Sequence, residues 1–345
     1  MKHLMLLAVS LGVGFLPVTT VQNQGRCDAL GNVQFLCGFV GPEDLVAVPG
    51  GQWVIASGDA APGAITLISV KEKTTSPLYP SASLRQRLDA KTYDSCPGPP
   101  DTADKAKFLT HGLAIRPGNN GVHTLYAVHH GGRESIEVFE VDARAKTPSV
   151  TWVGCAVAPD PIGLNSVVGL PEGGFIATNF LPRGGDANAR TKMMAGENNG
   201  ELWEWHTGKG WNKVPGSDAA GANGVEISKD GKTLYVASWG SQSFFRLSRG
   251  QTPPKRDVIP LGFRVDNIRW APDGSIFAGG QGGMAPGPQT TNIVKVDPKT
   301  LKVQEVIRHP NSPEFGSGTV AVQIGKEIWV GSFRGDRIAI FPAAN

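Results

Sequence analysis

One pattern recurs six times along this chain, and it limits the fold more than any other feature. Each copy opens on one or two small or polar residues. An alternating apolar stretch follows, then a turn containing Gly or Pro, then a second apolar stretch ending in small or aromatic residues. The copies begin at Glu43 (EDLVAVPGGQWVIASG), His111 (HGLAIRPGNNGVHTLYAVHH), Asn165 (NSVVGLPEGGFIATNF), Asn223 (NGVEISKDGKTLYVASWG), Asp266 (DNIRWAPDGSIFAGG) and Gly318 (GTVAVQIGKEIWVGSF).

Each copy reads as a β-hairpin, with period-2 strands rich in Val, Ile and aromatics around turns such as PGG, KDG and PDG. Further strand candidates lie between the copies: Ala64–Val70, Ser135–Val141, Glu201–Trp205, Ser243–Leu247 and Asn292–Val296. Copies start 43 to 68 residues apart, room for about four strands each. Four-stranded units repeated radially make a β-propeller, here all-β with six blades. The coils of a β-helix are too short for this spacing, and paired sandwiches would not repeat so evenly. Gly (45) and Pro (26) fill about a fifth of the 345 residues, which also argues against a helix bundle. The formal charge of +3 is too small and too dispersed for a nucleic-acid partner.

At the N-terminus Lys2 and His3 precede an apolar run from Leu4 to Leu16. A short basic stretch before a 7–15-residue apolar core reads as a signal peptide or N-terminal anchor over residues 1–24, leaving 25–345 as one propeller domain. The expected location is therefore periplasmic or secreted, with membrane association only if the N-terminus stays uncleaved. No later segment reaches the length of a membrane-spanning helix. Cys27, Cys37, Cys96 and Cys155 are an even set in an exported chain, so disulfides are expected, with three connectivities open. The absence of C-x-x-C and of nearby Cys/His pairs rules out a zinc site.

Equivalent positions in a propeller are related by rotation about its axis. The residues opening the six hairpins should therefore ring one face: Glu43-Asp44, His111-Gly112, Asn165-Ser166, Asn223-Gly224, Asp266-Asn267 and Gly318-Thr319. Carboxylate and amide oxygens around one point suit a hard cation such as Ca²⁺, and Glu43, Asn165, Asn223, Asp266 and Asn267 supply five. Asn and Asp also open turns through local hydrogen bonds. That explains any one of these residues, but poorly explains five at equivalent positions. In the second copy the strand ends set His111 opposite His129-His130, a candidate general-base pair, and alternation lets only one of the two face inward. The spacing leaves open which. Phe180, Trp239 and Phe333 end other second strands and are candidates for an apolar rim around the substrate.

These segments resemble the paraoxonase family of calcium-dependent lactonases and arylesterases, within the wider gluconolactonase-like propellers. The likeness is carried by PEDLVAVPGG (42–51), THGLAI (110–115), VHHGGRESIEVF (128–139), LNSVVGLPEGGFIATN (164–179), ANGVEISKDGKTLYVA (222–237), VDNI (265–268) and GTVAVQIGKEIWVGSF (318–333). It implies a catalytic calcium on Glu43, Asn165, Asn223, Asp266 and Asn267, and a His111–His130 dyad in which the inner His activates water. It also implies a second, structural calcium, one of whose ligands matches Asp44. Ser166 stands where the family has Asp, so that second site is in doubt. The family ties its N-terminal strand to its C-terminus by a disulfide. No Cys follows Cys155 here, so that bridge cannot form.

The resulting expectation is an exported calcium-dependent hydrolase of small lactones, promiscuous toward aryl esters. A sugar-lactone hydrolase of the gluconolactonase type is the nearest rival. A non-catalytic binding propeller stabilised by the ion is another. No organic cofactor is needed, and no phosphate-cradling loop is present. The Gly-, Asn- and Arg-rich segment Leu181–Asn199 is expected as a loop over the mouth of the site.

Overall fold

A computed structural model describes residues 26–104, 106–184, 188–284 and 286–343. The expected signal peptide or anchor lies outside these residues. The chain opens with β1 (Arg26–Leu30) and β2 (Val33–Cys37). Blade one follows as β3 (Leu45–Ala47), β4 (Trp53–Ala56), β5 (Ile65–Ser69) and β6 (Thr75–Tyr79). Blade two holds β7 (Phe108–Arg116), β8 (Val122–Gly131), β9 (Ser135–Asp142) and β10 (Ser149–Val157). Blade three holds β11 (Leu164–Gly169), β12 (Phe175–Asn179), β13 (Glu201–His206) and β14 (Gly210–Lys213). Blade four holds β15 (Ala222–Ile227), β16 (Thr233–Ser238), β17 (Ser243–Ser248) and β18 (Arg256–Pro260). Blade five holds β19 (Arg264–Trp270), β20 (Ile276–Gly282), β21 (Thr290–Val296) and β22 (Val303–Pro310). Blade six ends the chain with β23 (Gly318–Ile324), β24 (Glu327–Ser332) and β25 (Arg337–Pro342).

Each of the first five blades is a four-stranded antiparallel meander. The sixth is completed from the other end of the chain: β2 pairs with β25, Phe35 facing Ala339, and β1 adds a fifth strand outside it. The ring therefore closes by backbone hydrogen bonds, not by the N-to-C disulfide of the family the sequence resembles. Of the three possible pairings, Cys27–Cys37 and Cys96–Cys155 form. The first lies within the β1–β2 hairpin. The second pins the long β6–β7 connection to β10, where Tyr93 stacks on Trp205 at 5.5 Å.

The strands at the axis are β3, β7, β11, β15, β19 and β23, and each contacts the next around the circle. Alternate residues of all six blades bury Val, Ile, Leu and Phe between neighbouring sheets, so the core is a set of wedges radiating from the axis. The expected Leu181–Asn199 loop contains a short helix, α1 (Ala189–Met194), whose Met193 is fully buried and anchors it to blade four.

Candidate active site

Five of the six axial strands share one irregularity, β3 being regular. Register slips by a residue between Thr110 and Leu113, Leu164 and Val167, Ala222 and Val225, Val265 and Ile268, and Gly318 and Ala321. Inside those slips lie His111-Gly112, Asn165-Ser166, Asn223-Gly224, Asp266-Asn267 and Thr319-Val320. A regular strand sends consecutive side chains to opposite faces. A β-bulge sets two residues against one and re-aims them. The repeat thus delivers one or two functional side chains per blade to the same height on the axis. Gly112 and Gly224 complete the device, since a Cβ at either would sit 2.4 Å from Asn165 O or 2.6 Å from Asp266 O on the next axial strand.

The five expected ligands converge. Asn267 Nδ2 donates to Glu43 Oε1 at 2.6 Å. Asn223 hydrogen-bonds the Asp266 carboxylate. Gln281 Nε2 donates to Asp266 Oδ2 at 2.7 Å and takes its own place from Trp239, whose Nε1 donates to Gln281 Oε1 at 3.1 Å. All five are buried. After these bonds Glu43 Oε2, Asn165 Oδ1, Asn223 Oδ1 and Asn267 Oδ1 are buried without a partner. Each such atom costs about 1–3 kcal/mol unless something satisfies it. Burial, reinforced by the charge of Glu43, holds Asp266 well above the ordinary carboxylate range. Two mutually repelling carboxylates and a set of unsatisfied oxygens are what a hard divalent cation resolves, so these residues fit one.

Beside this ring His111 Nδ1 lies 3.0 Å from His130 Nε2, and His130 Nδ1 lies 2.9 Å from Glu134 Oε2. A carboxylate only accepts, so His130 carries its proton on Nδ1. Its Nε2 then accepts from His111 Nδ1–H, which leaves His111 Nε2 as a free base. That nitrogen faces the ring, 3.4 Å from Asn165 Nδ2 and 3.6 Å from Glu43 Oε2. Glu134 is itself fixed by the Leu164 amide at 2.5 Å, at the start of the strand that carries Asn165. Burial pushes His111 down, but the charges of Asp59, Glu43 and Asp266 outweigh it and raise the group to about 10. A divalent cation on Glu43 and Asp266 would offset those charges and favour the neutral base. Asp59 Oδ1 lies 3.8 Å from His111 Nδ1.

The inward histidine is therefore His130. His129 is buried in blade two, donating from Nε2 to Lys107 O at 2.8 Å, with its pKa lowered by burial. Sequence reasoning missed Glu134, Asp59 and Gln281. Only Glu134 left a signal, a carboxylate four residues after His130 across a Gly-Gly turn.

Asp44 is fully buried, but its carboxylate accepts from the Leu45 amide at 2.8 Å and the Leu113 amide at 2.7 Å, and pairs with the Arg269 guanidinium. Arg269 also donates to Leu113 O at 2.7 Å and Ile268 O at 2.8 Å. A guanidinium thus occupies the position where the sequence comparison expected a second ion, and the residues there do not fit one. Of the rim candidates, Phe180 and Trp239 meet edge to face at 5.9 Å. Phe333 instead packs against Arg334, 5.0 Å from its ring centre.

No protein-family model and no curated protein sequence matches this chain. Solved structures do. A gluconolactonase from Xanthomonas campestris aligns with TM-score 0.55 and 16% identity, over 92% of this chain and 91% of its own. A luciferin-regenerating enzyme gives 0.55 and 13% over 88% and 92%. A virginiamycin B lyase from Staphylococcus aureus gives 0.52 and 13% over 90% and 99%. The chain shares with them the β-propeller fold. At these identities the likeness is one of fold.

Proposed function

We propose that this chain is an exported calcium-dependent hydrolase of lactones, promiscuous toward aryl esters. The observation that carries the reading is the His111–His130–Glu134 chain ending beside a ring of buried, unpartnered oxygens. Two similar structures named for lactone chemistry or luciferin regeneration are compatible with it. Glu43, Asn165, Asn223, Asp266 and Asn267 would hold a hard cation, which when bound would provide Lewis acidity toward the carbonyl oxygen. His111 Nε2 takes a proton from water as the water oxygen attacks the carbonyl carbon. The ring C–O bond then breaks, the leaving oxygen takes that proton back from His111 Nε2, and a hydroxy acid is released. Glu134 and His130 hold the tautomer this requires. The Phe180–Trp239 pair favours an alkyl or aryl lactone over a sugar lactone. The two disulfides support export to an oxidising compartment.

The test is hydrolysis of dihydrocoumarin and phenyl acetate with added calcium and then with excess chelator. Turnover abolished by chelator, restored by calcium and lost in His111→Gln is expected. A clear preference for a sugar lactone would replace the substrate assignment. No turnover, with calcium still raising thermal stability, would mean a binding propeller.

A further inference from the structure

Charged side chains removed from water are almost always paired, because the desolvation cost is otherwise too large. Arg264 breaks this rule. It is only 7% exposed, yet its Nη1 has no hydrogen-bond partner. Its Nη2 reaches only the Met284 thioether at 3.1 Å, a weak acceptor. Its guanidinium lies over Trp239, 4.2 Å from the ring centre. Among the described residues no carboxylate pairs with it. Burial and then the nearby Arg190 charge both press its pKa down. Two other arginines near the site are matched, Arg269 by Asp44 and Arg133 by Glu137.

Arg264 stands next to the candidate site. It pairs across β19 and β20 with Gln281, the residue that holds Asp266, and its platform Trp239 is the other partner of Gln281 and the neighbour of Phe180. Met284, which shields it, is 54% exposed and sits beyond Gly282 and Gly283, so the cover is a surface side chain on a glycine-rich turn.

We infer that Arg264 is an anion receptor at the rim, and that the natural substrate is a lactone or ester carrying a carboxylate away from the reacting carbonyl. This deepens the hydrolase reading and rests on it for the word substrate. A guanidinium preset over an aromatic plane offers two parallel N–H donors, which match a carboxylate and displace one weak sulfur contact. The Phe180–Trp239 pair would then pack along the apolar part between carbonyl and carboxylate.

The test compares 5-oxotetrahydrofuran-2-carboxylate with its isosteric carboxamide on the full chain with calcium. Wild type should favour the carboxylate by about 10- to 100-fold in kcat/KM, the range of a charge-assisted hydrogen bond. The ratio should shrink as NaCl rises, fall to about one in Arg264→Gln and be partly kept in Arg264→Lys. A wild-type ratio near one overturns the inference while leaving the hydrolase reading standing. If neither compound is turned over, calorimetry decides: binding of the carboxylate but not the carboxamide, lost in Arg264→Gln, upholds the receptor without the hydrolase. Binding of neither, or of both equally, overturns it.

Discussion

Replacing Arg269 with Met tests whether an internal guanidinium has taken over the work of a second cation. The substitution keeps much of the stem's volume and removes the charge. It leaves Asp44, fully buried, with two backbone amides and no counter-ion, and strips donors from Leu113 O and Ile268 O. Breaking one side of a buried pair costs about 3–5 kcal/mol. Urea denaturation should show that loss as a lower midpoint with little change in slope. Burial raises Asp44 to about 6 even with Arg269 opposing it. Without Arg269 it rises further, so the folded variant binds the proton more tightly than the unfolded chain. The cost should therefore be greatest at high pH, shrink as pH falls through the variant's raised pKa, and level off below about 6, where Asp44 is neutral in both proteins. Asp44→Asn combined with Arg269→Met should cost less than the two separately by about 2 kcal/mol or more. Wild type should also retain one calcium per chain after dialysis. Additive costs within about 0.5 kcal/mol, a single-mutant cost below about 1 kcal/mol, or two retained ions would refute the reasoning.

Further outcomes are expected. Glu134→Gln should lower kcat with KM little changed and shift the acidic limb of the pH–rate profile, with partial rescue by Glu134→Asp; an unmoved profile would make Glu134 merely structural. Burial raises Glu226 to about 7, so ionising it opposes folding; Glu226→Gln should stabilise the protein by about 2–3 kcal/mol at pH 9 and by almost nothing below pH 4.5, and the reverse trend in melts would exclude it. Cys96→Ala with Cys155→Ala opens a loop spanning 59 residues and should cost up to about 4 kcal/mol, read by the same denaturation. Calcium at about a hundred times its Kd should add about 2.7 kcal/mol of stability to wild type and far less to Asn223→Leu.

The propeller was legible because it is a local pattern repeated. Strand period, turn chemistry and spacing are each written in a few adjacent residues, and six copies average out the exceptions. The candidate ring was legible for the same reason: symmetry turns residues far apart in sequence, such as Glu43 and Asp266, into equivalents. The chain order also shows that no disulfide can join its two ends. What tertiary structure alone decided are the unique contacts that symmetry does not repeat. Choosing His130 over His129 depends on which side of β8 faces the axis. The third relay member, Glu134, depends on how one Gly-Gly turn folds back toward β11. Arg269 reads in sequence as an ordinary strand residue, and only the closed ring places its guanidinium on Asp44, 225 residues away. Arg264 is a charge like any other until packing over Trp239 takes away its water and, among the described residues, no acid pairs with it in return. Periodicity reports which way a side chain points; whether a buried charge finds a partner is settled by chain segments that periodicity cannot bring together.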